Sequence, residues 1–131
     1  VVIVGGDSNF PPYEFLDNEG RPSGYNVEIT RAIADVMGIK VDIRLGEWDV
    51  MLNGLKASKI DILQGIVASD ERSKTFSFSS PHAIIHHSVF ARIGGIAPKG
   101  LAGLKGKAVM VQNKSIMYEY LLQNNVGANI H

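Results

Sequence analysis

The sequence has 131 residues, of which 45% are hydrophobic, and this is enough for a folded domain with its own core. Basic and acidic residues number 13 each, so the absence of net charge argues against nucleic acid or an anionic membrane as the partner. The absence of cysteine excludes disulfides, thiolate nucleophiles and cysteine-ligated metals, and no stretch approaches the roughly 18 apolar residues of a membrane span.

The start of the chain predicts a buried strand, a hairpin and a helix. Residues 1–4 form a continuous apolar run before two glycines, which is typical of a strand in a parallel sheet. Residues 15–20 have the composition of a hairpin tip. Asn26 is predicted to cap a helix that ends at Gly38. The apolar residues expected on its buried face recur at helical spacing: Ile29, Ala32, Ile33, Val36 and Met37.

The next segment continues this alternation of strands and helices. Residues 41–45 alternate as in a strand, residues 48–57 carry apolar side chains on one helical face, and residues 60–63 form a third strand. This order predicts an α/β layer around a mostly parallel sheet. Ligands of such sheets lie beyond the carboxyl ends of the strands.

The second half of the sequence predicts fewer elements. Ser69 is expected to cap a short helix, and an extended hinge strand is expected over residues 88–92. A change in composition near Gly94 predicts a border between a first lobe of residues 1–93, which includes the hinge strand, and the start of a second lobe in residues 94–131. This second part offers one strand and one helix, so we expect it to be an incomplete, truncated lobe.

Metal and catalytic sites are not predicted. His82, His86 and His87 lie within six residues, but in an extended segment His87 faces away from the other two, and no acidic residue accompanies them. No serine occurs in a nucleophile motif. The sequence therefore favours a protein without a metal, a cofactor or enzymatic chemistry.

A few residues suggest ligand binding, each with a plainer alternative. Arg72 could hold a carboxylate through two hydrogen bonds, or it could be a surface arginine. Asp7 could accept a hydrogen bond from an ammonium group, or it could stabilise a turn. Phe10 and Trp48 lie near strand ends, where they could line a pocket or pack in the core. We favour the pocket for Trp48, so its truncation is expected to cost little stability.

Several short motifs follow one another in a recognisable order: residues 10–15 (FPPYEF), 24–29 (GYNVEI), Trp48, residues 61–65 (DILQG), 69–72 (SDER), 76–81 (FSFSSP) and 104–107 (LKGK). In this order they resemble the periplasmic amino-acid-binding proteins, the bacterial extracellular solute-binding proteins of family 3. The resemblance covers nearly the whole chain. It implies a two-lobed α/β clamshell with mostly parallel sheets that binds a small ligand, with the second lobe incomplete in this chain.

The resemblance also implies roles for individual residues. The ligand-contacting positions would be Asp7 for an amino group, Phe10 and Trp48 as aromatic walls, the backbone of Gly65 and Val67 with Arg72 for a carboxylate, and Ser115 and Ile116 from the second lobe. Val67 and Ile116 stand where the family commonly has hydroxyl residues. Two side-chain hydrogen bonds to an α-amino acid are therefore absent.

Within this family, the segments 5–7, 11–15, 64–66 and 81–82 resemble periplasmic sensor domains of membrane histidine kinases most closely. The resemblance therefore implies a sensor input domain, located outside the cytoplasm and anchored to the membrane through regions outside this chain. Its partners would be a small-molecule ligand, a kinase module in the full-length protein and a second copy in a dimer. A free binding protein of an ABC transporter and a dehydratase-type enzyme on the same fold are the alternatives.

Overall fold

The computed structural model describes residues 1–95 and 97–131, and it divides the chain into two compact units, Val1–Val67 and Ala68–His131. Residues 68–93, which the sequence analysis assigned to the first lobe, fall in the second unit. The assignment of the lobes themselves stays a prediction. No helix in the described residues is long and apolar enough to cross a membrane.

The first unit is built on a three-stranded parallel sheet in the order β5-β1-β6, with β1 at Val2–Asp7, β5 at Val41–Gly46 and β6 at Ile62–Leu63. The connections run through α1 (Tyr25–Met37) and α2 (Trp48–Lys56). The predicted parallel α/β layer is confirmed. Because the strands are parallel, the carboxyl ends of β1, β5 and β6 lie at one edge of the sheet, and ligands of such sheets bind at this edge.

A small antiparallel sheet precedes α1. It contains β2 (Asn9–Phe10), β3 (Glu14–Leu16) and β4 (Pro22–Ser23), and the pairing of β3 with β4 confirms the predicted hairpin. The hairpin turn is closed by Asp17, whose carboxylate accepts hydrogen bonds from the backbone N–H groups of two residues later in the turn. The antiparallel sheet brings β3, and with it Glu14, against the end of β1.

The predicted cap of α1 is wrong. Gly24 occupies the N-cap position with φ 112°, a backbone conformation that favours glycine, and no side chain caps the helix. Asn26 lies inside the helix and is 3% exposed, because its amide points inward and donates to the Glu14 carboxylate. The predicted end of the helix is confirmed, since Gly38 adopts the left-handed conformation with φ 66°.

The predicted buried face of α1 is also wrong in part. Val27 and Ala34 are buried and the predicted Ile29 is half-buried, whereas the other four predicted residues are exposed: Ala32, Ile33, Val36 and Met37. Asn26, Ile33 and Met37 share one helical face because they are seven and eleven residues apart, so the burial of Asn26 in the first turn does not continue along that face. The later turns of α1 instead bury Ala34 and leave most of the apolar stripe exposed.

The second unit contains α3 (Asp70–Ser73), a 3₁₀ turn (Leu101–Leu104), β7 (Ala108–Val109), α4 (Ile116–Gln123) and β8 (Asn129–Ile130). Ser69 caps α3 as predicted, because its hydroxyl accepts from the backbone N–H of Arg72. β7 and β8 pair in parallel. The strand expected over residues 88–92 is not formed, because none of the described residues pairs with its backbone as a neighbouring strand.

Candidate functional site

Asp7 ends β1 at the sheet edge where ligands are expected. It is 7% exposed, and its Oδ1 accepts a hydrogen bond from the backbone N–H of Asn9 at 2.8 Å. Its own backbone N–H donates to Glu14 Oε1 at 2.9 Å. The side chain and the backbone of Asp7 are thus both held in place.

Glu14 is the most deeply buried ionisable residue near this edge, with 0% exposure. Besides the bond from Asp7, its Oε2 accepts from Asn26 Nδ2 at 3.0 Å. Burial raises the pKa of Glu14 above 4.5, and the negative charge of Asp7 raises it further, while hydrogen bonds from Asn26 and the Asp7 backbone, and the nearby Gln64 amide, act in the opposite direction. Acids whose pKa is perturbed by burial and by a neighbouring charge are enriched at functional sites.

The raised pKa of Glu14 predicts a pH-dependent stability. The folded state binds the Glu14 proton more tightly than the unfolded state does, so the free energy of unfolding should fall as the pH rises from 4.5 through the folded-state pKa. Denaturant unfolding at a series of pH values, compared between the wild type and Glu14→Gln, measures this contribution. A difference between the two proteins that stays constant across this range would contradict it.

Gln64 and Gly65 follow β6 at the same edge. The backbone N–H of Gln64 donates to the Gly5 carbonyl at 2.9 Å, and its Oε1 accepts from Thr30 Oγ1 at 2.8 Å. Its Nε2 is buried near Glu14, and within the described part of the chain this atom makes no hydrogen bond of conventional geometry. Gly65 has φ 70°, and a Cβ at this residue would lie 2.5 Å from Glu14 Oε1.

Gly65→Ala should therefore destabilise the first unit. The new methyl group would meet the Glu14 carboxylate, and the backbone would be strained by a positive φ. We expect a loss of about 1 to 3 kcal/mol in the free energy of unfolding, measured by chemical denaturation. Gly20→Ala is the control, because it has a similar φ of 76° but open space around the new methyl group, so it isolates the backbone strain. Equal losses in the free energy of unfolding of the two variants would show that the steric contact with Glu14 does not contribute.

Phe10 belongs to an aromatic cluster in the first unit. Its ring stacks on Tyr13 with centroids 5.2 Å apart, and Tyr13 in turn meets the edge of Tyr25 at 6.4 Å. Phe10 is half-buried, and it lies close to Asp7 in the chain. The arrangement leaves part of an aromatic surface near the end of β1, as an aromatic wall requires.

Trp48 is 7% exposed and begins α2. Leu52, one helical turn later, is 3% exposed, so the indole continues the buried stripe of this helix. This burial favours the alternative that Trp48 packs mainly in the core, and it removes the basis for expecting a small effect on stability. A contact between Trp48 and a ligand stays a prediction.

Arg72 is buried in the second unit at 5% exposure and is paired with Glu119. Arg72 Nε donates to Glu119 Oε2 at 3.0 Å, and Arg72 Nη2 donates to Glu119 Oε1 at 3.0 Å, a two-pronged contact with a carboxylate. Arg72 Nη2 also donates to the Lys114 carbonyl at 3.2 Å. Arg72 is therefore not a surface arginine.

The other predicted residues of the second unit lie next to this pair. Ser115 caps α4, because its hydroxyl accepts from the backbone N–H of Tyr118 at 3.2 Å, and Ile116 is the first residue of the helix. Since Arg72 contacts Lys114 and Glu119, its guanidinium lies at the N-terminal end of α4 beside Ser115 and Ile116.

The structure thus forms two local sets of residues. Asp7, Gly65 and the missed Glu14 are held together in the first unit, and Arg72 and the missed Glu119 are held together in the second. Val67 is the last residue of the first unit and is half-buried. Among the described residues, no three histidine, cysteine, aspartate or glutamate side chains gather as metal ligands.

The sequence carried no signal for Glu14 or Glu119. Glu14 alternates with Tyr13 and Phe15 in a short strand, a pattern that predicts an acid on the solvent face, whereas the structure buries it. Glu119 could not be predicted either, because the Arg72 that it binds lies 47 residues earlier.

The family model of the bacterial extracellular solute-binding proteins, family 3, matches residues 2–113. The L-cystine-binding protein TcyJ of Escherichia coli (strain K12) is 30% identical over 131 residues, which are 98% of this chain and 49% of that protein. The chain therefore spans about half the length of this curated relative.

Two solved structures are also similar. A crystal structure of a histidine kinase sensor domain with similarity to periplasmic binding proteins matches with a TM-score of 0.90 and 44% identity, over 100% of this chain and 57% of that one. An ancestral arginine-binding protein bound to arginine matches with a TM-score of 0.82 and 28% identity, over 99% of this chain and 59% of that one. Both support the α/β fold of the periplasmic binding proteins that the resemblance implied, with about half of that fold present in this chain.

Proposed function

The chain belongs to the bacterial extracellular solute-binding proteins of family 3, and on that premise we propose that it binds a small amino-acid-like solute or a small carboxylate and does not transform it. Solute binding is the activity named for relatives such as the L-cystine-binding protein.

The observation that carries the ligand class is the contact between Arg72 and Glu119. The guanidinium is buried and presents Nε and Nη2 side by side to a carboxylate. This is the geometry in which arginine recognises carboxylates, and it is not available to a lysine. A ligand carboxylate would bind Arg72 in exchange for Glu119 or beside it.

For an ammonium group of the ligand, we propose the carboxylates of the first unit. Asp7 ends β1 with a fixed carboxylate, and Glu14 adds a second acid behind it. Carboxylates are the strongest acceptors for ammonium groups among side chains. Phe10 supplies a half-buried aromatic surface nearby for the ligand side chain, while the backbone of Gly65 and Val67, together with Ser115 and Ile116, supplies the remaining contacts that we propose.

The role that we favour is sensing, as the input domain of a membrane histidine kinase. Its support is the similarity to a histidine kinase sensor domain, at 44% identity and a TM-score of 0.90. Under this proposal the domain lies outside the cytoplasm, is anchored to the membrane through other regions and signals as a dimer to a kinase module. Solute binding, the activity named for the cystine-binding protein, also suits a second role for this chain, as the free receptor of a transporter. A kinase module in the same polypeptide would favour the first role, and a stand-alone receptor encoded beside a permease the second.

A thermal-shift panel tests the proposed binding. The intact protein is heated with millimolar L-arginine, L-glutamine, L-cystine, or simple carboxylates that lack an amino group. A ligand that binds only the folded state must raise the Tm as its concentration increases. We expect at least one compound to do so. No shift with any of these compounds would contradict the proposed ligand class, and consumption of a bound compound would contradict binding without catalysis.

Arg72→Lys should weaken the binding of the compound that raises the Tm in this panel. Lysine keeps the positive charge but cannot form the two-pronged contact, so we expect a loss of about 2 to 3 kcal/mol in binding free energy by calorimetry. Arg44→Lys is the matched control, because Arg44 is exposed and pairs only with Asp42 among the ion pairs of the described residues. Equal affinities for the wild type and Arg72→Lys would remove Arg72 from the ligand site.

A further inference from the structure

Glu14 is a buried acid that touches three separate segments at the candidate site. It accepts hydrogen bonds from the backbone of Asp7, at the end of β1, and from the side chain of Asn26, in α1. It also fills the space beside Gly65, after β6. Its position is therefore not explained by the hairpin to which it belongs, because its contacts lie on the sheet edge and the helix.

The glycines around Glu14 make room for its carboxylate. A Cβ at Gly6 would lie 3.0 Å from Glu14 Cδ, and a Cβ at Gly65 would lie 2.5 Å from Glu14 Oε1. Any larger residue at either position would displace the carboxylate. The two strand ends and the acid between them thus form one interlocked arrangement.

We propose that Glu14 is a positioning residue of the ligand site, whose carboxylate ties the end of β1 to the segment after β6 and so holds Asp7 and Gly65 where they contact a ligand with an ammonium group. This inference rests on the proposed function and assigns Glu14 a positioning role that the proposed function leaves open. Glu14 acts through Asp7 and Gly65 and does not itself touch the ligand.

The charges around Glu14 give the proposal a second consequence. Asp7 is the ionisable side chain that acts on Glu14 among the described residues, and the groups that α1 and the segment after β6 direct at it are the neutral amides Asn26 and Gln64. An ammonium group at Asp7 would neutralise the charge that disfavours ionisation of Glu14. Binding of a cationic head group should therefore release protons from Glu14 when the pH lies near its pKa.

Nuclear magnetic resonance tests the positioning role without a ligand. The backbone amide shifts of Asp7 and Gly65 are followed against pH in the intact protein. We expect both to titrate together with a midpoint above 4.5, and we expect this transition to vanish in Glu14→Gln. Asp7→Asn should keep the transition but lower its midpoint, because the like charge is gone. Glu19→Gln is the control, since Glu19 is exposed in the hairpin turn and should change neither amide.

Calorimetry in buffers of different ionisation enthalpy tests the link to binding. The probe is whichever of L-arginine, L-glutamine and L-cystine raises the wild-type Tm most. We expect proton release on binding to wild type, none with Glu14→Gln, and an affinity about tenfold lower in that variant, the scale of one hydrogen bond. Glu14→Asp should lose affinity similarly, since the shorter side chain cannot reach both Asp7 and Asn26. This variant replaces Glu14→Gln in the measurement if Glu14→Gln does not fold.

The outcomes separate this inference from the proposed function. If the joint transition of Asp7 and Gly65 persists in Glu14→Gln, or if that variant binds with unchanged affinity and proton release, the positioning role is wrong. If none of the amino acids binds but the transition behaves as expected, the proposed ligand class fails while Glu14 still positions both residues.

Discussion

Trp48→Ala is expected to lower the free energy of unfolding by about 3 to 5 kcal/mol, the cost of removing a large aromatic side chain from a core. Trp48 is 7% exposed and lies one turn before the buried Leu52, so alanine would leave a cavity between α2 and the sheet. Denaturant unfolding followed by circular dichroism measures the change, because the variant lacks the tryptophan whose fluorescence would otherwise report it.

Val50→Ala provides the control for helix α2. Val50 lies in the same helix but is 57% exposed, so its truncation should change stability by less than about 0.5 kcal/mol. A loss of less than about 1 kcal/mol for Trp48→Ala, together with weaker ligand binding, would contradict this expectation. It would support the sequence-based prediction that Trp48 lines the ligand pocket.

Arg72→Met should destabilise the second unit by about 3 kcal/mol. The methionine has no hydrogen-bond donor, so the Glu119 carboxylate, at 27% side-chain exposure, and the Lys114 carbonyl lose their partner. Removing one member of a buried ion pair costs about 3 to 5 kcal/mol, and the partial exposure of Glu119 places the effect at the lower end. Thermal and denaturant unfolding measure it.

The double variant Arg72→Met with Glu119→Gln completes the test. Removing the charge of Glu119 abolishes the uncompensated carboxylate, so the double variant should be more stable than Arg72→Met alone. Additive losses would show that the contact between Arg72 and Glu119 contributes no coupling energy, and the pair would then not hold the start of α4.

Local sequence signals predicted much of the fold. Gly38 ends α1 and Ser69 caps α3 because each effect depends on the backbone within a few residues. The parallel sheet followed from the alternation of strands and helices, which leaves few topologies. The one helix expected in the second part corresponds to α4.

A long-range polar contact accounts for the wrong helix cap. Asn26 is a residue type typical of a helix cap, yet its amide lies inside α1 and binds the buried Glu14. A pattern of apolar residues carries no information about a buried carboxylate twelve residues away in the chain. Trp48 was ambiguous for a related reason, since its spacing fits both a core and a pocket.

The candidate site shows the same division. The sequence identified Asp7 and Arg72 through the family resemblance, and the structure places both in buried, hydrogen-bonded positions. Glu14 and Glu119, the residues that hold them, could not be predicted, because their contacts depend on the folded structure and not on the order of the motifs. Sequence therefore suggested ligand-facing groups, and the structure added the residues that orient them.

Calorimetric titration of the intact protein with an α-amino acid and with its decarboxylated amine tests the central claim most directly, since the pair differs only in the carboxylate assigned to Arg72. L-arginine and agmatine are one such pair. We expect the amino acid that binds in the thermal panel to bind at least about 30-fold more tightly than its amine, and Arg72→Lys to remove most of this difference. Equal affinities for acid and amine, or no heat of binding with L-arginine, L-glutamine or L-cystine, would contradict the claim.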